Sequence, residues 1–136
     1  MAGEPILLIW DDDWEALHRL SGLLGERFYI LIARSAGELN RLENRFHPDV
    51  ILLGESLRSG GDEAALLFRQ VIRRFGAKVI VLTENGSDSS KRDWKGLSEG
   101  NCLPHPTKYA RRARILERRI LEIIYPQMEG AGAKSR

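Results

Sequence analysis

The chain holds one cysteine in 136 residues, Cys102. That excludes an internal disulfide and any multi-cysteine zinc site. No apolar run approaches the roughly 20 residues that span a bilayer. The N-terminus, Met-Ala-Gly-Glu-Pro, lacks the basic start of a secretory signal. Low-complexity tracts are absent as well. These absences make a cytoplasmic location the expectation. What remains is a globular composition, 43% hydrophobic and 29% charged, in a length that suits one domain with a sizeable core.

A net charge of +2 conceals an asymmetry. Residues 1–65 carry 12 acidic and 6 basic side chains, whereas residues 66–136 carry 7 acidic and 15 basic ones. Much of the excess sits near the C-terminus, where Lys108, Arg111, Arg112, Arg114, Arg118 and Arg119 face only Glu117. Such a cluster marks an acidic partner or nucleic acid, or else a solvated helix face. No recognition-helix motif accompanies it, so direct binding of nucleic acid is not expected.

Short apolar runs alternate with helical periods. Ile6 to Trp10, Phe28 to Ile32, Val50 to Leu53, Val79 to Leu82 and Cys102-Leu103 read as five strands. Between them, Leu17, Leu20 and Leu24 form one helical stripe, and Leu39, Leu42 and Phe46 another. Ser35 and Glu38 have capping-box spacing. Asp62 is placed to cap a third helix, which carries Ala64, Leu67, Phe68, Val71 and Ile72 and ends near Gly76. A weaker fourth helix carries Trp94 and Leu97. Thr107 is placed to cap a fifth, with Ala113, Leu116, Ile120, Ile123 and Ile124 inward. Five such units imply a doubly wound α/β fold: a five-stranded parallel sheet with right-handed crossovers and helices on both faces. From Pro126 onward the core pattern stops, so residues 126–136 read as a flexible tail or linker, and residues 1–125 as the domain.

Ligands in such sheets bind at the carboxyl ends of the strands. After the first strand stands Asp11-Asp12-Asp13. Adjacent carboxylates repel, and a hard cation such as Mg²⁺ relieves the repulsion. The alternative is that Asp13 caps the next helix and the others are loop charges. After the fourth strand comes Thr83. After the fifth comes Leu103-Pro104-His105-Pro106, a corner where a cis proline would aim the preceding side chain inward.

These strand ends carry a resemblance. Ile6 to Asp13, Pro48 to Leu53, Val79 to Thr83 and Leu103 to Pro106, in that order, resemble a response-regulator receiver (CheY-like) domain of two-component signalling, over residues 5 to 125. The resemblance implies a flavodoxin-like (βα)5 three-layer sandwich. It implies that Asp11 and Asp12 match the Mg²⁺-binding pair, and that Thr83 matches the hydroxyl that contacts the phosphoryl group. It also exposes departures. Gly54 stands at the phosphoacceptor aspartate, His105 at the lysine, Cys102 at the aromatic switch residue, and Glu84 where a small residue keeps the site open. A one-residue slip would put Glu55 at the acceptor position, where it would at best mimic a permanently charged site. Pro48-Asp49 and Leu57 favour Gly54.

Phosphoryl transfer needs a nucleophilic oxygen held in line and cations to neutralise charge. Glycine supplies no oxygen. The expectation is therefore a degenerate receiver, without enzymatic activity and without a required cofactor, binding Mg²⁺ weakly if at all. It would act by contact, with a protein partner or a second copy, through the face of the fourth helix, fifth strand and fifth helix. Trp94, Arg111, Arg112, Arg118 and Arg119 are the residues expected on that face, with a C-terminal effector domain as a further expected partner. Trp10, Trp14 and Trp94 are expected to pack, though Trp94 also has basic neighbours suited to a partner anchor. Cys102 is expected as a small buried hydrophobe. Two other classes stay open: a conventional phosphorylated receiver with a displaced acceptor, and a flavodoxin-like small-molecule binder. Against the latter, Asp-Asp-Asp after the first strand repels phosphate.

Overall fold

The computed structural model describes residues 4–11, 13–54, 57, 61–83, 101–105 and 110–126. Five strands, β1 (Ile6–Trp10), β2 (Tyr29–Ala33), β3 (Val50–Gly54), β4 (Val79–Thr83) and β5 (Cys102–Pro104), form one parallel sheet in the order β2-β1-β3-β4-β5. Four helices are described: α1 (Trp14–Leu24), α2 (Ala36–Phe46), α3 (Asp62–Phe75) and α4 (Ala110–Ile124). The helix expected around Trp94 and Leu97 lies outside the described residues, as do Thr107 and the His105-Pro106 bond.

The strands are apolar on both faces because both faces are covered. Leu8, Trp10, Ile51, Leu53, Val79 and Val81 pack with Leu39 of α2 and Phe68, Val71 and Ile72 of α3. Alternate residues Leu7, Ile9, Val50, Leu52, Ile80 and Leu82 pack with Leu17, Leu20 and Leu24 of α1 and Leu116 and Ile120 of α4. This is the three-layer α/β sandwich expected from the alternation. Burying one such Leu or Ile contributes about 1.5–3 kcal/mol. Leu116 and Ile120 are wholly buried. These two side chains therefore outweigh any surface charge in docking α4.

Local chemistry sets the ends. The Asp13 carboxylate caps α1, accepting from the Glu15 and Ala16 amides at 3.0 and 3.2 Å. Ser35 Oγ accepts the Glu38 N–H at 3.1 Å, as in a capping box, but Glu38 Oε1 reaches back to the Arg34 N–H rather than to Ser35. α2 ends at His47, whose φ of +50° turns the chain out. Asp49 fastens β3 to β1 twice: its amide donates to the Ile6 carbonyl at 2.8 Å, and its carboxylate accepts the Ile6 N–H at 2.7 Å.

Four expectations are corrected. Asp62 does not cap α3. It is the first helical residue, and Gly61 takes the cap position with φ +114°, a backbone region that disfavours a side chain. β2 begins at Tyr29, one residue late, because the Phe28 N–H still bonds to Leu24 at the end of α1. Trp14 does not pack inside: it is 59% exposed, with the Arg34 guanidinium 5.4 Å from its ring centroid. Finally, β3, β4 and β5 each extend one residue further than read, to Gly54, Thr83 and Pro104, because Gly54 pairs with Leu82 and Thr83 with Pro104.

Candidate functional site

Asp11 is the first residue beyond β1. Since Trp10 pairs with Leu53, Asp11 arrives level with Gly54 at the end of β3. Its side chain is 4% exposed. Oδ1 accepts the Asp13 N–H at 3.0 Å, which fixes the rotamer. The carboxylate then lies against Gly54. A Cβ added to Gly54 would fall 2.7 Å from Oδ1 and closer still to Oδ2 and Cγ, whereas real Cβ atoms essentially never come within 3.0 Å of a neighbour. Asp11 therefore fills the space into which a longer residue at position 54 would project.

His105 comes from the other side, just past β5. Its N–H donates to the Thr83 carbonyl at 2.7 Å, and its carbonyl accepts from Arg112 Nη1 at 3.4 Å. The ring nitrogen Nε2 stands 3.5 Å from Asp11 Oδ2, beyond hydrogen-bond length. Both ring nitrogens are buried, and neither has a hydrogen-bond partner among the described residues. Thr83 Oγ1 is likewise buried and has no partner among the described residues. An unsatisfied buried polar group costs about 1–3 kcal/mol. The crevice thus retains polar atoms that the described residues do not satisfy.

The structure brings Asp11, Gly54 and His105 together, with Thr83 beside them on β4. Cys102 lies at the opposite end of three-residue β5, opposite Val81, and packs in the core on the α2–α3 side as a buried residue. Asp12, Glu55, Glu84 and Trp94 lie outside the described residues. Among the described residues there is no group of three or more His, Cys, Asp or Glu side chains that could hold a metal ion. No described helix is long and apolar enough to cross a membrane.

On α4 the arginines divide. Arg111 and Arg118 are exposed, as expected. Arg112 and Arg119 are not the free outward charges expected of them. Arg112 reaches His105, and Arg119 donates from Nε to Asn101 Oδ1 at 2.9 Å and from Nη1 to Glu122 at 3.2 Å.

Asn101 is a residue that sequence reasoning missed. It is 1% exposed, and its Nδ2 donates to the Val79 carbonyl at 2.8 Å. It thereby joins the start of β4, the start of β5 and α4. The available signal was a lone amide directly before a buried strand, which is faint.

No protein-family profile matches this sequence, and no curated protein matches it significantly. Solved structures do match in fold. The signal receiver domain of an HD domain-containing protein from Pseudomonas fluorescens Pf-5 superposes with a TM-score of 0.63 at 21% identity, over 89% of this chain and 98% of that one. A fusion protein carrying the yeast Spc42 trimeric coiled coil superposes with a TM-score of 0.64 at 16% identity, over 94% of this chain and 84% of that one. The strand order, the parallel register and these superpositions agree: this chain has the fold of a signal receiver domain.

Proposed function

We propose that this chain is a receiver-like signalling module whose state does not depend on phosphorylation and which acts by contact rather than by catalysis. One observation carries the reading. The position at the end of β3 is a glycine, and the space above it is taken by the Asp11 carboxylate. A nucleophilic oxygen is missing there, and so is the room for one. Leu57, three residues on, is buried in the core, which supports the register that aligns Gly54 with the acceptor.

The remaining groups fit the same reading. A receiver of the conventional kind uses Mg²⁺, which demands tight octahedral oxygen ligation. Here the third carboxylate is absent, Asp11 Oδ1 is committed to the Asp13 amide, and an imidazole faces Oδ2. The described residues among these do not complete an Mg²⁺ set. A fixed cation opposite the acceptor is replaced by His105. Contact is left as the mode of action, with a partner protein or a second copy, through the α4 and β5 face.

The test is intact mass before and after treatment with a small-molecule phosphodonor and Mg²⁺. The expected result is no change. An acid-labile gain of one phosphoryl group would overturn the reading, and its position would reveal a displaced acceptor.

A further inference from the structure

A cleft of about 390 Å³ opens at the carboxyl ends of β1 and β2, between the first turns of α2 and α3. Trp10 and Leu57 give it a buried apolar lining, each only 3% exposed, and Ala36 and Ala64 add methyl groups from the two helices. Asp11, Gly54, Thr83 and His105 do not line it, so it is separate from the crevice. Its volume falls within the roughly 300–1,000 Å³ of small-molecule sites.

The unused polar groups on its α2 side are all donors. The Trp10 ring is buried, yet its indole N–H has no hydrogen-bond partner among the described residues and is not sealed from solvent. At the start of α2, Ser35 Oγ takes the Glu38 N–H, and the Ala36 and Gly37 N–H groups have no partner among the described residues. Arg34 stands beside them. Its guanidinium lies over the Trp14 ring and pairs with no carboxylate among the described residues. The space next to Gly37 is open, since a Cβ there would meet no atom within 4 Å. The α3 side differs. Glu63 lines it, and Asp62 and Glu63 in the first turn offset the positive end of that helix. Those carboxylates repel a polyanion such as a nucleotide far more than a singly charged ligand held on the α2 side.

We infer that this cleft binds a small organic monocarboxylate with an apolar body. The carboxylate is held on the α2 side by the Trp10 indole N–H, the Ala36 and Gly37 amides and Arg34, while the body rests on Leu57, Ala36 and Ala64. An ionised carboxylate is an acceptor only, which suits a wall of donors. The helix start and the guanidinium favour its charge. The buried indole donor and the apolar lining set the site apart from a helix N-terminus that attracts any anion. The inference adds a ligand to the contact reading above and does not rest on it.

The experiment titrates the isotope-labelled full chain with phenylacetate, benzoate and isovalerate, and in parallel with neutral phenylacetamide and inorganic phosphate. Two-dimensional NMR follows the Gly37 amide and the Trp10 indole N–H, the latter identified by its loss in Trp10→Phe. At least one of the carboxylates is expected to shift both signals saturably. Phenylacetamide and phosphate should bind about tenfold more weakly than that acid, the loss of one charge-assisted contact or of the apolar one. Arg34→Gln and Trp10→Phe should each weaken binding several-fold, read at Gly37. Circular dichroism verifies folding, and Arg34→Gln, at an exposed position, decides the matter if Trp10→Phe does not fold. Silence at both signals with all three carboxylates up to about 10 mM, beyond which affinity has no meaning for a site of this size, would overturn the inference. So would an equal response to phenylacetamide or to phosphate, and so would shifts confined to Asp11 and His105. None of these outcomes involves phosphodonor labelling, so failure here is distinguishable from failure of the phosphorylation-independent reading.

Discussion

Asp11 and Gly54 share one space. The carboxylate of Asp11, held by the Asp13 amide, lies where the first side-chain atom of any residue larger than glycine at position 54 would stand. The two positions are therefore coupled: each residue is permitted by the other.

This coupling sets the sign of a substitution. Glycine inside a strand normally costs roughly 0.5–1 kcal/mol relative to alanine, so a free Gly54 would gain from Gly54→Ala. We expect a loss of about 1–3 kcal/mol instead, typical of overpacking. Adding Asp11→Ala should recover most of it, giving a coupling of at least about 1 kcal/mol in a double-mutant cycle. Urea denaturation of the four proteins measures this. A Gly54→Ala protein as stable as wild type would show that Asp11 moves aside freely.

Trp10 adjoins Asp11 and is buried, so its fluorescence reports on the crevice. Little response to Mg²⁺ at physiological concentration is expected. A saturating response there, abolished by Asp12→Asn, would show that the acidic pair holds the ion without a third carboxylate.

Asn101 serves β4 and α4 at once through its amide. Asn101→Ala strands a buried carbonyl and unhooks Arg119. The expected loss is about 1–3 kcal/mol. Arg119→Ala should cost less, since its partner keeps the bond to Val79. Thermal or chemical unfolding distinguishes the two, and an equal loss in both would place the burden on the arginine.

Asp13 caps α1 with two hydrogen bonds. Asp13→Ala should cost about 1 kcal/mol, whereas Asp13→Asn or Asp13→Ser should largely preserve stability. If alanine proves harmless, the cap is redundant with the packing of Leu17, Leu20 and Leu24.

The fold was legible because its signals are periodic. Leu17, Leu20 and Leu24 are spaced for one helix face, and all three are buried. The apolar strands point to a sheet covered on both sides, and it is. Individual side chains were harder. Asp62 is a good capping residue by type, but the chain enters α3 through a positive φ that falls on Gly61. The engagement of Arg112 and Arg119 depends on what β5 presents to them, which no helical pattern reveals. Asp11, Gly54, Thr83 and His105 were legible as strand-end residues, and the structure brings them together, whereas Cys102 packs in the core and Asp12 lies outside the described residues. The geometry of the crevice was not legible, because the rotamer that lays Asp11 over Gly54 is set by a backbone amide two residues away.

Arg112 and Arg119 sit two turns apart on α4 and hold the two ends of β5, one at the His105 carbonyl and the other at Asn101. An edge strand of three residues has few hydrogen bonds of its own and would ordinarily be the first part of a sheet to open. Clasped in this way, it is expected to open together with the helix. β5 and α4 would then form a single cooperative unit, and their amides are expected to exchange with solvent together. A partner that grips α4 from outside would slow the opening of the edge strand, and with it any rearrangement at His105, without touching the crevice.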